Sequence, residues 1–268
     1  MGLGWRSSAD LSNGTDMSGT DRILMGASNL NHLISEYTNL LLQDRSNLKL
    51  LEAGCGSASY FRFANVCHRT GIDISPEQLE RNQIMHEKIL GDLQTYPLPA
   101  GEFDIVVCWN VIEHLSRPRE ALLNMFRTLK PGAVLVLGFP NLLSFKGLVT
   151  KLTPHWFHKL FYRRMKYRFR PFPTYLRLAV LPNRVIKYAQ VHGLQVVFQS
   201  LHEGGVTQRF KQSVLLARAF FAAVDAVLRV FTFGKCQSLY LDNCALVLQK
   251  RCNPKPSAKV DSLAAQHS

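Results

Sequence analysis

The chain has 268 residues, is 47% apolar and carries a formal net charge of +13. That length and apolar share are enough for one large domain, or one domain with insertions, to bury a full core. The six cysteines (55, 67, 108, 236, 244 and 252) show no Cys-x-x-Cys spacing and no paired histidines. They speak against a metal site and read as reduced thiols in a reducing, cytoplasmic compartment.

Met1 to Thr20 is rich in Gly, Ser and Asp and has no apolar run, so it is expected neither to act as a secretory signal nor to hold a fixed structure. Residues 21–44 place Leu30, Leu33, Ile34, Tyr37, Leu40 and Leu41 at mixed three- and four-residue spacing, which predicts one helix or two short ones. An apolar strand over 48–53 runs into Gly54-Cys55-Gly56, and a helix is predicted from Ser57 to Cys67. A second strand near 69–74 ends in Asp73. Ser75-Pro76-Glu77 then reads as a helix start, with Ser75 as N-cap and Pro76 in the first helical position. A short strand around 88–90 leads to Asp92, and the next strand covers 103–108.

Pro118 opens a helix predicted to end at Lys130, before Pro131-Gly132, and a fifth strand covers 133–139. Residues 141–182 form an insertion rich in aromatics and prolines. A helix over 183–192, a strand over 194–200, a long helix over 207–233 and a last strand over 238–250 complete the domain. The domain thus spans 21–250, and the polar tail 251–268 is expected to be disordered. Strands and helices alternating in this way imply an α/β fold with a mostly parallel, doubly wound sheet.

Ligands of open parallel sheets bind beyond the carboxyl ends of the strands, and Glu52, Gly54, Gly56, Asp73, Asp92 and Asn110 all fall at such ends. An apolar strand entering a Gly-x-Gly turn, with a carboxylate on the next strand end, describes a nucleoside pocket. A dinucleotide turn would need glycine at position 59, where this chain has Ser59, and Glu52 beside the turn would repel a pyrophosphate but suit an ammonium. No Gly-x-x-x-x-Gly-Lys loop is present to cradle a triphosphate.

Five pieces then follow in order: Glu52-Ala53-Gly54-Cys55-Gly56, the acidic strand end Gly71-Ile72-Asp73, Gly91-Asp92-Leu93, Phe103-Asp104-Ile105-Val106 and Leu129-Lys130-Pro131-Gly132. In this the chain resembles the class I S-adenosylmethionine-dependent methyltransferases, in the small-molecule (type 11, ubiquinone/menaquinone-methyltransferase-like) branch. The resemblance implies a seven-stranded Rossmann-like sheet with an antiparallel seventh strand, and S-adenosylmethionine as cofactor. It implies that Gly54 and Gly56 lie against the methionine moiety and that Glu52 helps hold its ammonium. Asp73 would take the ribose hydroxyls with Ile74 beside the adenine, while Asp92 and the Leu93 amide would meet the adenine edge. Ala58 stands where many relatives have a third glycine; it is small enough for the turn. Asp104, at the start of its strand, reads as structural.

Methyl transfer to a hydroxyl benefits from a base near neutral pKa, and His114, just after the fourth strand, is the candidate catalytic residue. His155, His158 and His202 are further histidines whose placement depends on the insertion. The chain lacks the strand-end Pro-Cys or Thr-Cys of thiolate-using RNA enzymes. It also lacks the Asn/Asp-Pro-Pro-aromatic tetrapeptide of nucleic-acid amino-methylators, having Trp109-Asn110-Val111-Ile112 instead. Both features argue against a nucleic-acid substrate.

The window Ala121 to His202 holds 13 Lys or Arg and no Asp or Glu, and so the whole charge excess. Within it, the insertion interleaves Arg163, Arg164, Lys166 and Arg168 with Phe161, Tyr162, Tyr167 and Phe169. Two readings stand: a lid over the site after strand five, or a surface for an anionic membrane. In the helix 207–233, Lys211, Arg218, Asp225 and Arg229 fall on one stripe of an otherwise apolar cylinder, which suits core or homodimer burial or a membrane interface. The expected partner is a small apolar acceptor. The alternatives are an RNA methyltransferase and a non-catalytic membrane- or protein-binding module with the same fold.

Overall fold

The computed structural model describes residues 27–142, 144, 178–204, 230 and 241–252. The first helix, α1 (Ala27–Leu41), buries Leu30 and Ile34, one turn apart. The strands that follow are β1 (Leu48–Ala53), β2 (Val66–Asp73), β3 (Glu87–Leu90), β4 (Phe103–Trp109), β5 (Leu129–Pro140), β6 (Leu194–His202) and β7 (Asn243–Lys250). Between them lie the helices α2 (Pro76–Arg81), α3 (Pro118–Thr128) and α4 (Pro182–Val191). The strands form one seven-stranded sheet in the order β3-β2-β1-β4-β5-β7-β6. Every neighbouring pair is parallel except the two that involve β7, which runs antiparallel between β5 and β6. The strand order reverses direction between β1 and β4, the position at which open α/β sheets place ligands.

The two faces of the sheet are built by period-two alternation. Leu51, Val106, Cys108, Leu135, Leu137, Leu246 and Leu248 point to one face and pack with Leu122 and Met125 of α3 and Val185 and Ala189 of α4. Leu50, Ile105, Val107, Val134, Val136, Ala245 and Val247 point to the other, under Leu30 and Ile34 of α1. The Tyr37 hydroxyl donates to the Val197 carbonyl at 3.0 Å and ties α1 to β6. Ser75 caps α2 by accepting from the Gln78 N–H at 3.3 Å. The Lys250 ammonium donates to the Phe126 and Leu129 carbonyls at 3.0 and 2.6 Å, satisfying the open end of α3.

Asp104 sits at the opposite edge of the sheet from the strand carboxyl ends. Its carboxylate accepts the Lys49 N–H at 3.0 Å and pairs with Lys130 at 2.7 Å and Arg45 at 3.4 Å. It joins β1, β4 and β5, a structural task.

The helix expected from Ser57 to Cys67 is not formed. Only 12 residues separate β1 from β2, and β2 starts at Val66, three residues before the expected strand. A parallel crossover takes about a dozen residues with its helix included, so this one has room for only a turn or two of helix, and the packing decides against it. The side chains follow suit: Phe61 and Phe63 are buried and Arg62 between them is exposed, the alternation of extended chain. Phe61 and Phe63 stack at 5.9 Å and Phe61 meets the Trp109 ring edge-on at 4.9 Å, so these rings cover the face that a helix would have covered. A second difference lies at Pro131-Gly132. The helix α3 ends at Thr128, and β5 already begins at Leu129, with the register jumping from Phe103↔Leu129 to Ile105↔Val134 across the Gly132 bulge.

The insertion 141–182 is described only at Asn141, Leu142, Ser144 and residues 178–182, and the predicted helix 207–233 only at Val230. The lid, the one-stripe helix, the N-terminus 1–20 and the tail beyond 252 otherwise lie outside the described residues. Among the described residues no helix is long and apolar enough to cross a membrane, and no cluster of His, Cys, Asp and Glu could hold a metal ion.

Candidate functional site

β1 ends at Ala53, and the chain turns through Gly54 at φ +73° and Gly56 at φ +50°, backbone that L side chains adopt only with strain. At Gly54 a Cβ would also overlap the Val111 methyl groups. The turn is fastened to the end of β2. The Gly54 and Cys55 N–H groups donate to the Ile72 carbonyl at 2.8 and 3.2 Å, and the Gly56 N–H donates to Asp73 Oδ2 at 2.8 Å. Asp73 Oδ1 accepts the Ser75 N–H at 2.9 Å, and Asn82 Nδ2 donates to the Gly56 carbonyl at 3.0 Å. Each Asp73 oxygen therefore holds one backbone N–H and keeps further acceptor capacity. Ile74, next along, is 72% exposed, an apolar side chain left beside a fixed carboxylate.

Glu52 is buried below this turn, where it accepts a hydrogen bond from the Ser59 hydroxyl and lies 3.4 Å from the Arg69 guanidinium. Burial pushes its carboxyl above the ordinary carboxylate range, against the opposing pull of Ser59 and Arg69. Asp92 follows β3 in a loop anchored by the Gly91 N–H, which donates to the Asp73 carbonyl at 3.0 Å. Its oxygens accept the Gln94 N–H at 2.8 Å and the Gln94 side-chain amide at 2.9 Å. Leu93 is buried, and its carbonyl accepts from Asn124 Nδ2 at 3.0 Å. Asn110 ends β4 in a left-handed conformation, φ +56°, with its N–H donating to the Gly138 carbonyl at 2.8 Å. The sheet thus brings Glu52, Gly54, Gly56, Asp73, Ile74, Asp92 and Asn110 to one edge, in the strand order that flanks the switch point.

His114 lies on a single 3-10 turn, Ile112–His114; its side chain is 32% exposed, with Nε2 3.9 Å from Glu113 Oε1. It does not line the cavity that opens farther along the same edge. That cavity, of about 300 Å³, has Tyr60, Trp109 and Phe139 as aromatic walls. Asn31, Asn110, His202 and Asn243 are its hydrogen-bonding side chains, with Gly138, Gly204 and Cys244 between them. A Cβ on Gly138 would overlap the Trp109 ring, so the indole keeps its place only because position 138 has no side chain. The thiols nearby are not nucleophiles: burial pushes Cys244 up to about 12 and Cys108 higher still. Of the further histidines, His155 and His158 lie outside the described residues, whereas His202 ends β6 and faces Asn243 of β7 across the pair. Its signal was the strand-end rule itself: β6 runs two residues beyond its predicted end and delivers His202 to the carboxyl edge.

A seven-stranded sheet with one antiparallel strand, and a left-handed glycine turn clamped to the next strand's carboxylate, define the class I methyltransferase architecture. Residues 51–137 match the methyltransferase domain family. The chain is 34% identical over 111 residues to a probable S-adenosylmethionine-dependent methyltransferase of Mycolicibacterium smegmatis, a match covering 39% of this chain and 43% of that protein. It is 35% identical over 109 residues to the mitochondrial ubiquinone biosynthesis O-methyltransferase of Candida albicans, covering 36% of this chain and 33% of that one. The chain thus spans less than half the length of these two curated relatives. The crystal structure of a SAM dependent methyltransferase from Archaeoglobus fulgidus shares the fold with a TM-score of 0.51 at 17% identity, over 84% of this chain and 95% of that one. Residues 51–137 are thus a methyltransferase domain in a chain with the class I fold, and S-adenosylmethionine is its cofactor.

Proposed function

We propose that this protein transfers a methyl group to a hydroxyl of a small apolar acceptor. The observation that carries this reading is the left-handed Gly54–Gly56 turn, held on Asp73, on the same sheet edge as an aromatic-walled cavity. The turn suits the methyl donor because its two left-handed glycines leave the backbone bare of side chains at the strand edge. The remaining acceptor capacity of Asp73 matches a ribose diol, and exposed Ile74 offers an apolar seat for the adenine. Glu52 is assigned to the ammonium as a partner shared with Arg69. Asp92 and the Leu93 amide are assigned to the adenine edge.

S-adenosylmethionine, when bound, supplies an electrophilic methyl group on a sulfonium, so the protein's part is chiefly alignment and the exclusion of water. Trp109, Phe139 and Tyr60 would hold a flat acceptor and displace solvent, and Asn110 joins the acceptor cavity to the glycine turn through Val111, its neighbour in sequence. The Candida relative is an O-methyltransferase, which supports oxygen as the acceptor atom. His114, placed after β4 but outside the cavity lining, is assigned the proton from that hydroxyl by way of a water. His114→Ala is expected to lower turnover by roughly a hundredfold while S-adenosylmethionine affinity stays at the wild-type value. Single-turnover kinetics and calorimetry check the two halves, and a mutant with normal turnover would take the base role away from His114.

The function itself is tested with methyl-labelled S-adenosylmethionine, the purified protein and a cell extract. Label is expected in the solvent-extractable small-molecule fraction. Label confined to RNA would establish the alternative reading instead, and a protein that binds the cofactor but labels nothing would support a non-catalytic module. The anionic-membrane and homodimer expectations rest on 141–182 and 207–233, almost wholly outside the described residues, and carry no part of this proposal.

A further inference from the structure

Two side chains join the loop that carries Asp92 to α3. Asn124, within α3, donates to the Leu93 and Tyr96 carbonyls at 3.0 and 2.7 Å and fixes the loop backbone. Gln94 reaches the other way, and its two ends do different work. Its Nε2 donates to both Asp92 oxygens at 2.9 Å, while its Oε1 accepts the Ser116 hydroxyl at 3.1 Å and the Arg117 N–H at 2.6 Å. A carboxamide suits this place because it carries donors at one end and an acceptor at the other. A carboxylate here would face Asp92 with like charge, and an apolar chain would make none of the four bonds.

Each end meets a part of the proposed reaction. An ionised carboxylate has about four acceptor sites. In Asp92, Oδ1 accepts both the Gln94 N–H and its side-chain amide, whereas Oδ2 accepts the amide alone, so the open site lies on Oδ2. At the other end, Ser116 and Arg117 are exposed and follow His114 by two and three residues. Arg117 starts α3 with no side-chain cap of its own. The turn that bears His114 is anchored in front by fully buried Ile112, and Gln94 holds the chain behind it.

We propose that Gln94 is a positioning residue that couples the cofactor site to the segment bearing His114. It directs the open site of Asp92 at a single N–H of the adenine amine, and the same rigid amide pins Ser116 and Arg117. A cofactor N–H on Oδ2 restrains the Asp92 carboxylate, then the amide, then the start of α3, so cofactor binding tightens the segment of the base before transfer. By reciprocity, the pinned segment strengthens cofactor binding. The proposal rests on the assignments of Asp92 to the adenine edge and of His114 to the proton, and adds the link between them.

The test uses the full chain, with calorimetry for S-adenosylmethionine affinity and hydrogen–deuterium exchange over residues 112–117 with and without saturating cofactor. In wild type the cofactor is expected to slow exchange in this segment by at least about threefold. Gln94→Met should weaken S-adenosylmethionine binding by at least about fivefold, and saturating cofactor should then leave exchange in the segment unchanged. Gln94→Glu separates the two ends, since it keeps the acceptor for Ser116 and Arg117 and loses the donor to Asp92. It should keep the slow exchange of the cofactor-free protein yet lose affinity and the response to cofactor. Asp92→Ala combined with Gln94→Met should bind no more than about twofold more weakly than Asp92→Ala alone, whereas an independent structural role would make the losses add. Melting temperatures should stay near wild type because Asn124 still holds the loop; should Gln94→Met fail to fold, Gln94→Glu carries both measurements. Full affinity in Gln94→Met, additive losses, no slowing in wild type, or a cofactor response that survives saturation in either variant would overturn the coupling. Asp92→Ala with wild-type affinity would instead count against the adenine-edge assignment beneath it, and that variant is measured first so that the two failures are distinct.

Discussion

Asp73→Ala is expected to weaken S-adenosylmethionine binding by at least about tenfold and up to about a hundredfold, because a hydrogen bond to a charged group contributes roughly 1.5–3 kcal/mol. The proposed function gives the carboxylate two jobs that fail together. It is the acceptor available to a ribose diol, and it also holds the Gly56 and Ser75 N–H groups at 2.8 and 2.9 Å, which sets the shape of the turn. Asp73→Asn separates the jobs, since a carboxamide can accept at one oxygen only. It should retain more of the turn than alanine does and still lose affinity. Calorimetric titration of the folded variants measures both, with melting temperature as the control for folding. Affinity equal to wild type in Asp73→Ala would remove this residue from the cofactor site and undercut the assignment of the whole strand edge.

Phe61→Ala is expected to destabilise the fold by about 3–5 kcal/mol, the usual cost of deleting a fully buried aromatic side chain. The ring is 1% exposed, stacks on Phe63 and meets Trp109 edge-on. Because the connection between β1 and β2 contains no helix, these two phenylalanines share with Leu30 and Ile34 of α1 the cover of Leu50, Ile105 and Val107 on that side of the sheet. Phe61→Leu should cost much less, about 1.5 kcal/mol or below, if volume is what the site requires. Urea denaturation midpoints at constant slope give the comparison. A loss under about 1 kcal/mol for the alanine variant would mean that another segment covers this face. The same substitution should disturb the acceptor cavity, since Trp109 is both the partner of Phe61 and a wall of that cavity.

The parts of the site that could be read from the sequence are those whose chemistry is contiguous. Glu52-Ala53-Gly54-Cys55-Gly56 places a strand, a turn and two left-handed positions within five residues, and no other residue type holds those φ values as cheaply. Ser75-Pro76-Glu77 likewise carries its own helix start, and α2 begins at Pro76 as read. Where the reading failed, local signals admitted two answers. Ser57 to Cys67 is apolar and short, and a window of that length does not separate helix from buried extended chain. Pro131-Gly132 reads as the punctuation that ends a helix, yet here it falls inside the start of β5, where the Gly132 bulge absorbs it.

By itself, the order of motifs determined the class of sheet, the cofactor and which strand ends share one edge, because a parallel α/β sheet puts every strand's carboxyl end on one edge. What only the tertiary structure decided is which distant segments meet there. Trp109 and His202 are separated by almost a hundred residues and come to one cavity through the order β4-β5-β7-β6, in which β7 inserts between β5 and β6. The extended path of residues 57–65 was decided in the same way, by the pairing of Leu48 with Val66 and by the burial of Phe61 against Trp109. Both outcomes rest on long-range register and packing, whose free energies exceed the few tenths of a kcal/mol per residue that local propensity contributes.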